Sequence, residues 1–136
     1  IIKMLAKEFM TSTIVTIDES VPVREAARIM AAEDIGSLLV TRSDTLVGVV
    51  TMRDIVSAQL LSDESFHGLL VKDIMSAQFV SITPDADLWE VIKVMDQTGK
   101  HHLPVIQGDT AVGVVSTTDI VRVLATMKLI AEGAGD

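Results

Sequence analysis

The chain has 136 residues, of which 49% are hydrophobic, and it carries a formal net charge of −8. This length fits one compact domain, and no apolar run approaches the roughly 20 residues that a membrane-spanning helix needs. The negative charge argues against general nucleic-acid binding, which depends on Lys and Arg neutralising phosphates. The high hydrophobic fraction instead indicates a second buried surface, most simply an oligomer interface.

The sequence also bears on location and processing. It contains no Cys, which excludes disulfides and thiol chemistry and mildly favours the cytoplasm. No signal peptide is visible. Because the first residue is Ile1 rather than Met, we expect a trimmed chain or a piece of a longer protein. We therefore expect a cytoplasmic protein with no membrane partner and no nucleic-acid partner.

An internal repeat organises the chain. The segment 48–54, GVVTMRD, returns 65 residues later as the segment 113–119, GVVSTTD. At this offset the chain matches itself without a gap from residue 7 to residue 56. Such self-similarity indicates two similar units. Because each alone would bury only a thin core, we expect the two to share one core. We expect two repeats related by a pseudo-two-fold axis, with any site in one having a counterpart in the other.

The first repeat predicts a β-α-β-β-α unit behind a short lead-in. Its elements are a lead-in at 3–10, a strand at 13–17, a helix from about 22 to 34, strands at 37–41 and 46–51, and a helix from about 52 to 61. Val23, Ala26, Ala27 and Met30 have the spacing of one apolar helix face. A polar connection follows this unit.

The second repeat predicts the same order. Its elements are a lead-in at 72–75, a strand at 79–82, a helix after the turn at 84–87, strands at 103–107 and 111–116, and a helix from about 117 to 131. Asp87 with Glu90 predicts a capping box, and Gly133 predicts the stop of the last helix. Apolar residues cover much of the circumference of this helix, so we expect burial on two sides. Trp89 lies off the apolar face of its own helix, which favours a surface or interface position.

These elements set the expected boundaries and fold class. The boundaries are a first repeat with its lead-in at 1–62, a connection at 63–71, a second repeat at 72–131 and a C-terminal tail at 132–136. Strands covered by helices give an α/β fold, here an α+β sandwich of two β-α-β-β-α repeats.

The repeated segment places a hydroxyl and an acid where a strand turns into a helix. Thr51 precedes Asp54 by three residues, and Ser116 precedes Asp119 likewise. A structural interpretation is a helix cap, in which both side chains satisfy free N–H groups. A functional interpretation is a ligand site, since helix N-termini attract phosphate and an Asp can accept hydrogen bonds from ribose hydroxyls. Both interpretations stay open from the residues alone.

Two further features bear on chemistry. Gly48 and Gly113 are expected to leave room for a close approach to the backbone. His101 and His102 are adjacent on a strand and point to opposite faces, so with only His67 besides them we expect no metal site. We find no nucleophile–base pair and no acid pair at a suitable separation in one unit, so we do not expect an enzyme.

The combination of motifs resembles a tandem pair of CBS domains (named for cystathionine β-synthase), also called a Bateman module. The resemblance covers about Glu8 to Leu124. Its motifs are a Met followed by a strand, a helix that ends in Met, and the closing Gly-Val-Val-Thr/Ser-x-x-Asp. They occur at Met10 to Ile17, Met30 and 48–54, and again at Met75 to Ile82, Met95, 102–105 and 113–119.

The resemblance implies a regulatory module that binds adenosine-containing ligands in clefts between the repeats. The implied ligands are AMP, ADP or ATP, with S-adenosylmethionine or NAD as further possibilities. Such modules usually form homodimers and signal to a regulated protein, here unknown, by conformational change. The alternative is a structural homodimerisation module without a ligand.

The resemblance also implies roles for particular residues. The ribose contacts are Asp54 and Asp119. The phosphate contacts are Thr51, Ser116, Arg53 and Thr118. The base contacts, largely through the backbone, are Thr13, Ile14, Val15, Ser37, Leu38, Gln78, Phe79, Val80, His102, Leu103 and Pro104. Because 36–39 lacks the His and Pro of 101–104, we expect the two sites to differ in affinity, or one of them to be empty.

Overall fold

The structure, a computed structural model, describes residues 3–135, and side chains as far as residue 133. Ile1 and Ile2 of the predicted lead-in and Asp136 of the predicted tail lie outside the described residues. Within them the elements are α1 Ala6–Phe9, β1 Thr16–Asp18, α2 Val23–Glu33, β2 Ser37–Arg42, β3 Thr45–Thr51, α3 Met52–Ala58, α4 Asp63–His67, α5 Val71–Ile74, α6 Leu88–Thr98, β4 His102–Gln107, β5 Thr110–Ser116 and α7 Thr117–Gly135.

These elements form two compact units. The central unit runs from Ile14 to Phe79, and the terminal unit combines the residues up to Thr13 with those from Val80 onward. In the central unit, β1 pairs parallel with β2, and β2 pairs antiparallel with β3. In the terminal unit, β4 and β5 form an antiparallel hairpin. The predicted α+β fold of two β-α-β-β-α repeats is therefore confirmed.

The expected shared core is not observed, because each unit has its own hydrophobic core, built from the helix faces that the sequence pattern predicts. The central core includes Val23, Ala26, Met30, Leu38, Val40 and Val50. The terminal core includes Leu88, Val91, Met95, Leu103, Val105 and Val115. Burying such side chains stabilises the fold by roughly 1.5–3 kcal/mol each.

The lead-in segments are exchanged between the two sequence repeats. Helix α1 belongs to the terminal unit, where the Ala6 N–H donates to the Ala86 carbonyl at 2.7 Å. Helix α5 belongs to the central unit, where the Val71 N–H donates to the Val21 carbonyl at 2.8 Å. Because Ala6 and Val71 are fully buried in these cores, the compact units divide at 13/14 and 79/80 rather than at the repeat boundaries.

The connection and the tail depart from expectation. The predicted connection contains the short helix α4, whose first turn is capped by the Ser62 hydroxyl accepting from the Ser65 N–H at 3.2 Å. The last helix does not stop at Gly133 but continues to Gly135, so the predicted tail is helical over 132–135. A glycine inside a helix costs only about 1 kcal/mol relative to Ala, so α7 can continue through Gly133.

Two other local predictions are corrected by the structure. The strand predicted at 79–82 reduces to a single parallel bridge between Ile82 and Val105. Helix α7 buries one face, and Leu129 on the remainder is 69% exposed. The apolar second face has no partner element within the described part of the terminal unit, because that unit supplies only one core for the helix to cover.

Candidate functional site

Thr51 and Asp54 form a closed capping box at the start of α3. The backbone N–H and the hydroxyl of Thr51 donate to Oδ2 of Asp54, at 2.8 and 3.0 Å. The Asp54 N–H donates back to the Thr51 hydroxyl oxygen at 3.3 Å. The cap is therefore present as predicted. Within the described residues, Oδ1 of the half-buried Asp54 accepts no hydrogen bond.

Ser116 and Asp119 form the equivalent cap at the start of α7. The Ser116 N–H and hydroxyl donate to Oδ2 of Asp119, at 2.9 and 3.2 Å. Here Oδ1 is engaged as well. It accepts from the Thr11 hydroxyl and from Nη1 of Arg122, both at 3.1 Å. Asp119 is only 3% exposed.

The number of acceptor positions still open distinguishes the two carboxylates. An ionised carboxylate offers about four lone-pair positions, two on each oxygen. Two donor groups reach Asp54, both at one oxygen. Four donor groups reach Asp119. The Ser116 N–H and hydroxyl donate to Oδ2, Nη1 of Arg122 donates to Oδ1, and the Thr11 hydroxyl is shared between Oδ1 and Oδ2 at 3.1 and 3.3 Å. Asp54 can therefore accept two vicinal hydroxyls without losing a contact, whereas Asp119 cannot.

The residue opposite each cap also differs. Ser37 pairs with Thr51 across the central hairpin, and His102 pairs with Ser116 across the terminal hairpin. Burial lowers the pKa of His102 from its ordinary value of 6.5, His101 lowers it further, and the Asp119 carboxylate opposes both. His102 is therefore mainly neutral at pH 7, with one nitrogen able to donate and one able to accept.

The other predicted phosphate residues, Arg53 and Thr118, lie at matching positions in the first turns of α3 and α7. Both side chains are exposed. Each follows the hydroxyl residue of its own cap by two positions. Arg53 therefore lies at the same helix N-terminus as Thr51, and Thr118 at the same helix N-terminus as Ser116.

The predicted base residues divide between the units. With Asp54, the central unit holds Ile14, Val15, Ser37, Leu38, Gln78 and Phe79, and with Asp119, the terminal unit holds Thr13, Val80, His102, Leu103 and Pro104. Leu38 and Leu103 point into the two hydrophobic cores. Their side chains are thus occupied, and only their backbone groups remain for a ligand.

The two glycines of the repeated segment serve packing. A Cβ on Gly48 would lie 2.6 Å from the sulfur of Met75, and one on Gly113 would lie 2.5 Å from the sulfur of Met10. The expected room for close approach therefore exists, but the methionines of the exchanged lead-ins fill it.

Sequence reasoning missed Thr11 and Arg122. Arg122 stands three residues after Asp119 on the same helix, a spacing at which opposite charges meet, so this pair was detectable. Thr11 lies 108 residues from Asp119 along the chain. Only the exchange of α1 brings them together, and no local pattern signals it.

Each unit also has an open cleft away from the caps. One of about 410 Å³ is lined by Lys7, Met10 and Asp85 among others, and one of about 400 Å³ by Arg24, Phe66 and His67 among others. Residues 3–135 contain no group of three or more His, Cys, Asp or Glu side chains arranged to hold a metal ion. Nor do they include a helix long and apolar enough to cross a membrane.

The fold and the two caps define a two-repeat α+β module. A model of the CBS domain matches residues 6–61 and again residues 71–126. The chain therefore belongs to the CBS-domain family, as a tandem pair.

Three comparisons illustrate the relationship. The CBS domain-containing protein YhcV of Bacillus subtilis is 29% identical over 130 residues, which cover 95% of this chain and 89% of that protein. The crystal structure of CBS domain NE2398 has a TM-score of 0.84 at 27% identity, covering 91% of this chain and 99% of that one. The CBS domain pair of MJ0100 was solved with 5′-methylthioadenosine and S-adenosyl-L-methionine. It has a TM-score of 0.84 at 23% identity, and the match covers 93% of this chain and 99% of that one.

Some relatives are much longer. The chain spans 42% of the length of each of two uncharacterised proteins of Methanocaldococcus jannaschii, MJ0188 and MJ1225, to which it is 28% and 25% identical.

Proposed function

We propose that this CBS pair is a regulatory module that binds adenosine-containing ligands at the caps of Asp54 and Asp119. The observation that carries the proposal is the open Oδ1 of Asp54, held by a rigid capping box at the end of a buried strand. An oxygen with two free acceptor positions suits the 2′- and 3′-hydroxyls of a ribose. A regulatory role fits both acids, since each is held as part of a helix cap.

The remaining groups extend this proposal from ribose to the whole ligand. Thr51 and Arg53 would meet the phosphates at the first cap, and Ser116 and Thr118 those at the second. Backbone groups near Val15, Ser37, Val80 and His102 would meet the base. The MJ0100 pair, which has the same fold, was solved with two adenosine compounds, which supports AMP, ADP, ATP or S-adenosylmethionine as candidates, with NAD as a larger alternative.

Ligand binding would regulate by shifting the population of conformations that a partner protein recognises. We place this partner, and the module itself, in the cytoplasm, with no nucleic acid or membrane involved.

We also propose that the module acts as a homodimer. Met52, Val56 and Leu60 are spaced four residues apart, and all three are exposed, Leu60 to 87%. Trp89 is 62% exposed, and aromatic side chains are enriched at interfaces. In sedimentation velocity, Leu60→Asp should shift a dimer towards monomer, whereas an unchanged sedimentation coefficient would remove this surface from the interface.

The test of ligand binding is a thermal-shift panel of AMP, ADP, ATP, S-adenosylmethionine and NAD, with and without Mg²⁺. A ligand at a hundredfold excess over its Kd adds roughly 2.7 kcal/mol of stability, which is several degrees for a domain of this size. We expect at least one ligand to raise the Tm of the wild type but not that of the Asp54→Ala/Asp119→Ala variant. A flat response would favour the structural homodimer without a ligand.

A further inference from the structure

We propose that Arg122 and Thr11 form a latch on Asp119, so that an adenosine ligand fills the Asp54 site first and reaches Asp119 only by displacing Arg122. The proposal rests on the proposed function and adds an order of filling and a specificity residue. We define the latch as the contacts of Thr11 and Arg122 with Oδ1 of Asp119.

The latch occupies the positions that a ribose would need. The Thr11 hydroxyl and Nη1 of Arg122 each lie 3.1 Å from Oδ1 of Asp119. Oδ2 is already held by the Ser116 N–H and hydroxyl. A ribose hydroxyl that donates to Asp119 must therefore displace a latch contact or break the cap of α7.

One latch residue is fixed and the other is mobile. The Thr11 N–H donates to the Val114 carbonyl of β5 at 2.9 Å, and the Val114 N–H donates to the Thr11 carbonyl at 3.0 Å. The Thr11 side chain is also restricted, because a β-branched side chain has few χ1 rotamers. The Arg122 side chain is 68% exposed. Such a guanidinium can exchange the carboxylate for water at small cost, so Arg122 is the part that opens.

The Asp54 cap has no such latch. At the same offset of 65 residues, Ser57 stands in place of Arg122 and Ser76 in place of Thr11. The Ser76 backbone is held in the same way, since its N–H donates to the Val49 carbonyl at 2.9 Å and its carbonyl accepts from the Val49 N–H at 3.1 Å. Within the described residues neither Ser57 nor Ser76 hydrogen-bonds Asp54. The difference lies in the side chains, chiefly in the missing arginine.

The latch is tested by calorimetric titration with 5′-methylthioadenosine, whose lack of phosphate excludes a direct attraction to Arg122. The wild type should show a tight site that Asp54→Ala abolishes and a weaker site that Asp119→Ala abolishes. Arg122→Ser should tighten the weaker site by about 1.5- to fivefold, the range expected for release of an exposed ion pair. Adding Thr11→Ala should tighten it further.

Two variants complete the design. Ser57→Arg should transfer the latch to the first cap and weaken the tight site. Arg28→Ser is the matched control, because Arg28 is as exposed as Arg122 and makes an i,i+3 pair with Glu25 at 2.8 Å on α2, and it should change neither affinity.

The failures of the two proposals are separable. If both sites bind equally, and Arg122→Ser leaves both affinities unchanged, the latch is wrong and the adenosine function stands. If 5′-methylthioadenosine binds neither the wild type nor Thr11→Ala/Arg122→Ser, the latch is also wrong. The adenosine function is then judged by the ligand panel and the double aspartate variant alone.

Discussion

Asp54 and Asp119 occupy equivalent positions in the two repeats, and their backbone caps match closely. The distance from the preceding N–H to Oδ2 is 2.8 Å at Asp54 and 2.9 Å at Asp119, and each aspartate N–H donates back at 3.3 Å. The surroundings differ, since Asp119 is buried and accepts from Thr11 and Arg122 as well. The repeated motif thus builds the cap, and residues outside the motif decide how much of the carboxylate remains available.

The largest expected effect separates the two aspartates by stability. Asp119→Ala should lower the free energy of unfolding by about 2–3 kcal/mol, because it leaves several donors around a buried position unpaired. Asp54→Ala should cost about 1 kcal/mol, the net value of a typical hydrogen bond, because it removes the N3 carboxylate of the capping box. Urea unfolding of both variants measures this, and equal losses would mean that the extra contacts of Asp119 carry no net stability.

A second prediction concerns a feature in which the two repeats agree. Gly48→Ala and Gly113→Ala should each cost about 1–3 kcal/mol, as expected for overpacking, since each new Cβ meets a methionine sulfur and a backbone carbonyl oxygen within 3.0 Å. Gly133→Ala, which meets nothing within 4 Å, should be neutral or stabilising. Thermal unfolding in which all three behave alike would contradict the packing role of the lead-in methionines.

The smallest expected effect depends on pH and is confined to the terminal unit. The pKa of His102 is lowered from 6.5 in the folded state, so the unfolded chain binds the proton more tightly. The contribution of the neutral imidazole to the free energy of unfolding is fully present above pH 6.5. It is lost as the pH falls through 6.5 towards the pKa of the folded state. Between pH 7.5 and pH 5.5, the Tm of His102→Gln should fall less than the Tm of the wild type. An equal or greater fall would contradict the role of His102.

Local patterns predicted much of this fold. The period of Val23, Ala26 and Met30 places a helix face in the core, and the spacing of Thr51 and Asp54 predicts their cap. The exchange of α1 and α5 was not predictable in this way, because packing on either repeat would satisfy the same apolar residues. Thr11 near Asp119 follows from that exchange and was missed with it. Whether the caps bind ligands stays a prediction.

The most direct test of the account is to titrate the wild type, Asp54→Ala and Asp119→Ala with the tightest ligand of the panel. Asp54→Ala should remove the tight phase, and Asp119→Ala should remove only the weak one. Ligand affinities unchanged in both variants would contradict the central claim that these two capping carboxylates bind the ribose.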